Sequence, residues 1–479
     1  MSNEDIGLIA HLTRRAGFGA SRDELDAYAA KGYQATVDEL LDVRDARSMP
    51  EDLIRRYHHD YSAMFESAGS SASWLYRVIS TSAPLQEKMV LFWHSVFATA
   101  YSKVTLGKVL MDQLRMFRRR GMGSFNTLLG ELARDPAMIV WLDNLDNHKG
   151  AINENFGREL LELFSMGAGN YSEQDVKECA RAFTGWTVAN TQYSAAVARR
   201  NSIWPYGKIA WRFEYNADDH DDGEKEFLGE TGRFDGQDVI DIICKQPATA
   251  RFISRHLYHF FVADEPPVPQ WPYVPPRDPD AIEALSQAYV DSNYDIRSML
   301  RVLFNSDFFR ARESWYAKVK SPAELVAGVL KLTGEFQGPR LGILDRILQM
   351  GYMGQQLLNP PTVEGWHQGL EWIDSGTLIE RLNFAAEQLA DTEQPGVRAM
   401  IDKITGVGGD NASAEGLVDA CLDQMGAISV SEATRSALVE FVSLENETDS
   451  GSADRDAEPQ ARVAATLRLV ASTREFQRA

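Results

Sequence analysis

Between Ile152 and Trp186 the chain reads INENFGRELLELFSMGAGNYSEQDVKECARAFTGW, two apolar stripes at helical spacing on either side of a glycine-rich stop. Two helices joined this tightly have to pack antiparallel. At about 100° per residue, Ile152, Phe156, Leu160, Leu163 and Phe164 fall on one arc, which must face a core. Gly167-Ala168-Gly169-Asn170 ends the first helix. Ser172 and Asp175 then have capping-box spacing, with Asp in place of the usual Glu, ahead of Val176, Cys179, Ala180 and Phe183.

The polar residues of the first helix divide into two kinds. Glu154, Arg158 and Glu162 follow one another at i, i+4 spacing on the far side and read as an exposed ladder of alternating charge. Glu159 instead projects at the edge of the apolar arc, with Asn155 and Glu162 as neighbours, and is expected to be half buried. A carboxylate there loses water and must find a proton, a cation or several hydrogen-bond donors. It is either a helix-edge residue paired with an arginine of another helix or part of a functional site.

Similar helical signals recur along the chain. Ser21 and Glu24 form a capping box, and Pro84, Pro136, Pro247 and Pro322 each sit at a first-turn position ahead of an apolar stripe. The spacing therefore predicts a mainly α protein, a large multi-helix globular domain. The exception is a small β-hairpin insertion at about 187–229, where the residues from Ile209 to Tyr215 alternate as a strand does. Residues 264–280 carry seven prolines and form a rigid connector within a main helical domain over 1–390. Residues 391–479 are expected to form a small C-terminal helical unit, interrupted by an acidic segment at 446–459 that is expected to be mobile.

Composition limits the function classes. Hydrophobic residues make up 44 % of 479, ample for a large core. A formal charge of −20 opposes binding to nucleic acid or to an anionic membrane surface. The strongest basic run, Arg118-Arg119-Arg120, is either an anion site at the next helix N-terminus or a cation cluster finishing its own helix. Cys179, Cys244 and Cys421 are too few and scattered for a disulfide framework or a metal knuckle and read as buried hydrophobes. No apolar run reaches the roughly 18 residues needed to span a bilayer, and the first residues lack the regions of a secretion signal. The chain as written is expected to be soluble and cytoplasmic.

Candidate chemistry rests on carboxylates and imidazoles. Asp218-Asp219-His220-Asp221-Asp222-Gly223 is an acid-rich loop carrying one imidazole, able to hold a divalent metal ion, to raise the basicity of His220, or simply to form a solvated turn. His94 lies beside the Leu85-Met89-Phe92-Val96 stripe, where a lone histidine more often packs than ligates. If Glu159 and Asn155 face His220, His94 and His11 across a cleft, with Asp221 close by, the result is a metal-dependent or acid/base enzyme site able to activate water. Glu159 and His220 would then be catalytic, His11, His94 and Asp221 metal ligands, and Asn155 and Arg14 substrate-binding. Arg14 is the candidate for an anionic substrate group, being always charged and able to bind in a bidentate manner. The alternative is a non-catalytic binding or scaffold protein that works with a protein or polymer partner. No nucleophile elbow, phosphate-binding loop or dinucleotide fingerprint is present.

Several stretches resemble one known family. They are HLTRRAGFG at His11 to Gly19, LQEKMVLFWHSVFAT at Leu85 to Thr99, DPAMIVWLDN at Asp135 to Asn144, the segment from Asn153 to Trp186, HDDGEKEFLG at His220 to Gly229, and MGQQLLNPPTVEGWHQGLEWI at Met353 to Ile373. In this order they resemble the bacterial family catalogued as domain of unknown function 1800, over most of residues 8–390. The resemblance implies no established activity and no assigned catalytic residues. Many similar proteins look exported and are encoded beside a second family resembling sulfatase or phosphatase folds, whereas no export signal is recognised here. This chain also has Val96 where many relatives place a second histidine after the one matching His94.

Overall fold

A computed structural model describes residues 3–57, 67–190, 211–266, 273–408, 413–448 and 458–479. Most of these residues are helical, with two small two-stranded antiparallel sheets. No helix among the described residues is long and apolar enough to cross a membrane.

The helix at the centre is Pro84–Val96, which opens on the expected first-turn proline. Every residue from Glu87 to Val96 is buried, so the helix is enclosed on all sides. Periodicity alone identifies only the stripe through Leu85, Met89, Phe92 and Val96. The remaining faces are covered by the helices Ser67–Ser80, Gly107–Arg120 and Pro322–Thr333 and by the loop carrying Trp366. Capping boxes form at Ser21/Glu24 and Ser172/Asp175, and a further one at Ser321/Glu324.

The helix pair read from Ile152 to Trp186 is present as Asn155–Glu162 and Glu173–Ala182, packed against each other. It starts later than its apolar spacing predicts. Residues His148 and Ala151 pair as an isolated bridge, and the Asn153 side chain accepts from the Asn155 amide at 3.0 Å, so the chain enters the helix only at Asn155. Ile152 therefore lies outside the buried arc and is exposed, while Phe156, Leu160, Leu161 and Phe164 fill the core. Gly157 faces the partner helix so closely that an added Cβ would stand 3.1 Å from both the Ala180 nitrogen and the Val176 oxygen.

The β insertion contains β1 (Trp186–Ala189), paired with β2 (Arg212–Tyr215), and β3 (Lys225–Phe227), paired with β4 (Glu230–Gly232). The chain between β1 and β2, with Ile209 and Ala210 of the expected strand, lies largely outside the described residues. The second hairpin turns on Leu228 and Gly229, with φ of 48° and 81°, the positive pair that a two-residue hairpin loop requires. Residues 267–272 of the proline-rich connector and 449–457 of the acidic segment are likewise outside the description.

After residue 390 the helices Pro395–Gly408, Ala414–Gln424, Glu432–Thr448 and Glu458–Ala471 follow. Val397, Val418, Val463 and Leu467 belong to the same apolar cluster as Leu12 and Phe92. The final residues run alongside 318–320, the Ala479 amide donating to the Lys318 carbonyl at 2.9 Å and the Lys320 amide to the Gln477 carbonyl at 3.1 Å. Arg381, fully buried, ties both segments by donating to the Lys320 carbonyl at 2.8 Å and to Gln477 Oε1 at 3.1 Å.

Gly157→Val should push the two helices apart at their tightest contact. Urea denaturation should show a loss of about 1–3 kcal/mol; a variant as stable as the parent would mean that this approach is not a packing constraint.

Candidate functional site

Glu159 sits half buried on the Asn155–Glu162 helix, as its place at the edge of the apolar arc predicts. Gly157 faces the Glu173–Ala182 helix, so Glu159, two residues on, points to the opposite side. Among the described residues no arginine of another helix pairs with it. Arg158 is taken by Glu154 at 3.3 Å and Glu173 at 2.8 Å, while Glu162 accepts from the Tyr171 hydroxyl. Burial, then the charges of Glu162 and Glu364, hold the Glu159 carboxyl up at about 7, against the pull of Arg158. Asn155 donates to the Leu142 carbonyl at 3.1 Å, which secures the helix entry.

The acid-rich loop is occupied by its own partners. His220 is buried and its Nδ1 donates to the Thr184 carbonyl at 3.0 Å. Asp221 binds Arg181 at 2.7 Å and 3.2 Å, and that guanidinium holds its carboxyl down to about 2. Asp219 accepts from His148 at 2.6 Å and from the Lys149 amide at 3.0 Å. The loop thus latches the β1–β2 end to the 148–151 turn. His94 is fully buried, edge-on to Trp74 and Trp366 with ring centroids at 5.7 and 5.2 Å, and burial lowers it to about 3. His11 donates from Nε2 to the Phe309 carbonyl at 3.1 Å. Burial and then Arg15 and Arg14 push it well below the usual histidine range, so it is neutral.

Among the described residues no hydrogen bond or ion pair joins Glu159 to His220, His94 or His11, and no group of three or more His, Cys, Asp or Glu is arranged to hold a metal ion. Of the candidate site residues named from the sequence, Arg14 lines a surface pocket that Glu159, Asn155 and His220 do not reach. The basic run behaves as a helix end: Arg118 binds Glu87 at 2.5 Å and Arg120 binds Glu131 at 2.5 Å.

The pocket is an open cavity of about 620 Å³, counting solvent at its mouth, between the end of the Asn3–Arg15 helix, the Pro322–Thr333 helix and the segments around Gly426 and Phe476. Its wall carries three cations, Arg14, Lys320 and Lys331, and two carboxylates, Glu24 and Glu475. Both carboxylates are engaged as acceptors of main-chain amides, Glu24 from Ser21 at 2.8 Å and Glu475 from Ser431 at 3.1 Å. None of the three cations has an acidic partner within ion-pair distance among the described residues. Lys331 donates weakly to the Gly19 carbonyl at 3.4 Å, and Lys320 donates to the Phe476 carbonyl at 2.5 Å while lying 4.7 Å from the centre of the Phe476 ring.

Arg14 is the focus of this wall. Its side chain is 8 % exposed and stacks 4.6 Å from the Tyr316 ring centre. Nη1 reaches the Gly426 carbonyl at 3.4 Å, and buried Nε and Nη2 have no hydrogen-bond partner among the described residues. A buried donor left without an acceptor costs about 1–3 kcal/mol, more on a charged group. Burial also lowers Lys320 to about 7, helped by the charges of Arg14, Arg381 and Lys88 and opposed by Glu324. Sequence reading singled out Arg14 but not Lys320 or Lys331. The only local hint is the run Lys318-Val319-Lys320 directly ahead of a capping box, with no acid beside it.

Glu159 carries a pH signature that its surroundings dictate. The fold holds its proton up to about 7, whereas an unfolded Glu releases it near 4.5, so between these values the folded chain binds more protons and stability falls as pH rises. Glu159→Gln removes that loss. Its melting temperature relative to the parent should rise between pH 5 and pH 8, by the equivalent of about 1 kcal/mol after allowance for solvent screening. An offset independent of pH would contradict the assignment.

Against known families, the chain matches the model of a protein of unknown function, DUF1800, over residues 11–478. It belongs to that family. No curated protein and no solved structure gives a significant match.

Proposed function

We propose that this DUF1800 protein binds a small molecule through a carboxylate or phosphate group seated on Arg14. The observation that carries the reading is that Arg14 lines an open cavity while its buried Nε and Nη2 have no hydrogen-bond partner among the described residues. A planar anion accepts from such a fork in a bidentate manner, and Lys320 and Lys331 stand in the same wall to neutralise remaining charge. The reading of Glu159 and His220 as a metal or acid/base centre is supported by no hydrogen bond or ion pair between them among the described residues, so a binding role is preferred.

The test is calorimetric titration of the purified chain with inorganic phosphate, acetate and pyruvate. At least one should bind, and Arg14→Ala should weaken it by about 10- to 100-fold, the worth of a hydrogen bond to a charged group. Arg14→Lys keeps the charge but not the fork and should recover only part of the affinity; circular dichroism establishes that both variants fold. Equal binding by parent and Arg14→Ala, or no binding by the parent, would overturn the reading.

Affinity should also depend on pH. Lys320 carries its proton below about 7 and loses it above, so anion binding should weaken as pH rises from 6 to 8 and be accompanied by proton uptake. Lys320→Gln should flatten that profile; an unchanged profile would remove Lys320 from the site.

A further inference from the structure

Lys320 is an unusual lysine. It lines the cavity, has no carboxylate partner among the described residues, and donates a hydrogen bond to the Phe476 carbonyl against the face of the Phe476 ring. The charges acting on it are mostly of its own sign, from Arg14, Arg381 and Lys88, with Glu324 the exception and itself paired to Lys88. Desolvation beside other cations is the arrangement that turns a lysine amine into a nucleophile at neutral pH. The carbonyl of Phe476 accepts one N–H and so orients the amine while leaving its lone pair free. Arg14 lines the same cavity, with its Nε and Nη2 unpaired among the described residues.

Resting on the anion-binding reading above, we propose that Lys320 captures the carbonyl carbon of a 2-oxo acid as an imine while Arg14 holds the carboxylate. The Nζ lone pair attacks the carbonyl carbon. The π electrons pass to the oxygen, which takes up a proton, and the nitrogen gives one up, leaving a carbinolamine. Loss of that hydroxyl as water, with a second proton, and donation of the nitrogen lone pair form the C=N bond of an iminium, which gives up its remaining N–H proton to leave the imine. The balance is amine plus ketone to imine plus water, with no change of oxidation state. The ligand class is thereby narrowed from anions in general to those with a ketone or aldehyde next to the carboxylate.

Reductive trapping tests this. The full chain is incubated with pyruvate and cyanoborohydride, which reduces the imine to a stable secondary amine, and its peptides are examined by mass spectrometry. The adduct should appear on Lys320 at pyruvate concentrations that leave exposed Lys31, Lys103 and Lys149 unmodified. It should form faster at pH 7.5 than at pH 5.5, fall by about tenfold or more in Arg14→Ala, and be suppressed by excess lactate, which has the carboxylate without the ketone. Lys320→Arg should bind pyruvate and give no adduct at that position. Arg14-dependent pyruvate binding without an adduct on Lys320 would overturn the imine and leave the anion site standing. Labelling spread evenly over exposed lysines would also overturn it. Absence of any Arg14-dependent anion binding would remove the parent reading and this inference together.

Discussion

The fold depends on a helix that has no exposed face. Pro84–Val96 runs through the interior, and Glu87 and Lys88 are both buried on it, so each must be neutralised by a specific neighbour. Glu87 accepts two hydrogen bonds from Arg118, at 2.5 and 2.9 Å, and one from Trp74 at 3.2 Å. Lys88 binds Glu324 and donates to the Gly17 carbonyl at 2.9 Å. Each pair locks the helix to a different neighbour. Removing one member of such a pair leaves an uncompensated charge, which typically costs about 3–5 kcal/mol.

The second of these pairs also shapes the cavity. Lys88 fixes the end of the first helix, where Arg14 and Arg15 are presented, and Glu324 is held in turn by its capping box with Ser321. Arg15 is anchored to the Val262 and Ser314 carbonyls at 2.8 and 2.9 Å. Arg14, its neighbour, lines the cavity, with its buried Nε and Nη2 unpaired among the described residues. The same polar scaffold that compensates one buried lysine therefore sets aside an arginine. The overall charge of the chain is −20, which opposes a long polyanion at its exterior.

What was legible in the sequence is what is local. The serines and prolines that open helices, the glycine stop after Met166 and the half-buried position of Glu159 depend on spacing within a few residues, and the structure has them. Arg14 was legible as a chemical type. Where spacing competed with side-chain capping, as at Asn153, the helix boundary moved and Ile152 lost its place in the core. Glu87 and Lys88 look like the polar face of an amphipathic helix, and only neighbours far along the chain show them to be buried. Lys320, Lys331 and Phe476 join Arg14 through contacts spanning hundreds of residues, which no periodicity encodes.

Arg14 and the Gly426 carbonyl that it reaches are 412 positions apart. During synthesis the guanidinium therefore emerges long before the backbone that shelters it, and the N-terminal helix waits with one wall missing. Closing so long a loop is slow, because contacts of high sequence separation form late. A molecule that bridges Arg14 to the opposite wall would act as a clasp between early and late parts of the polypeptide, making its occupancy a gauge of whether the whole chain has come together.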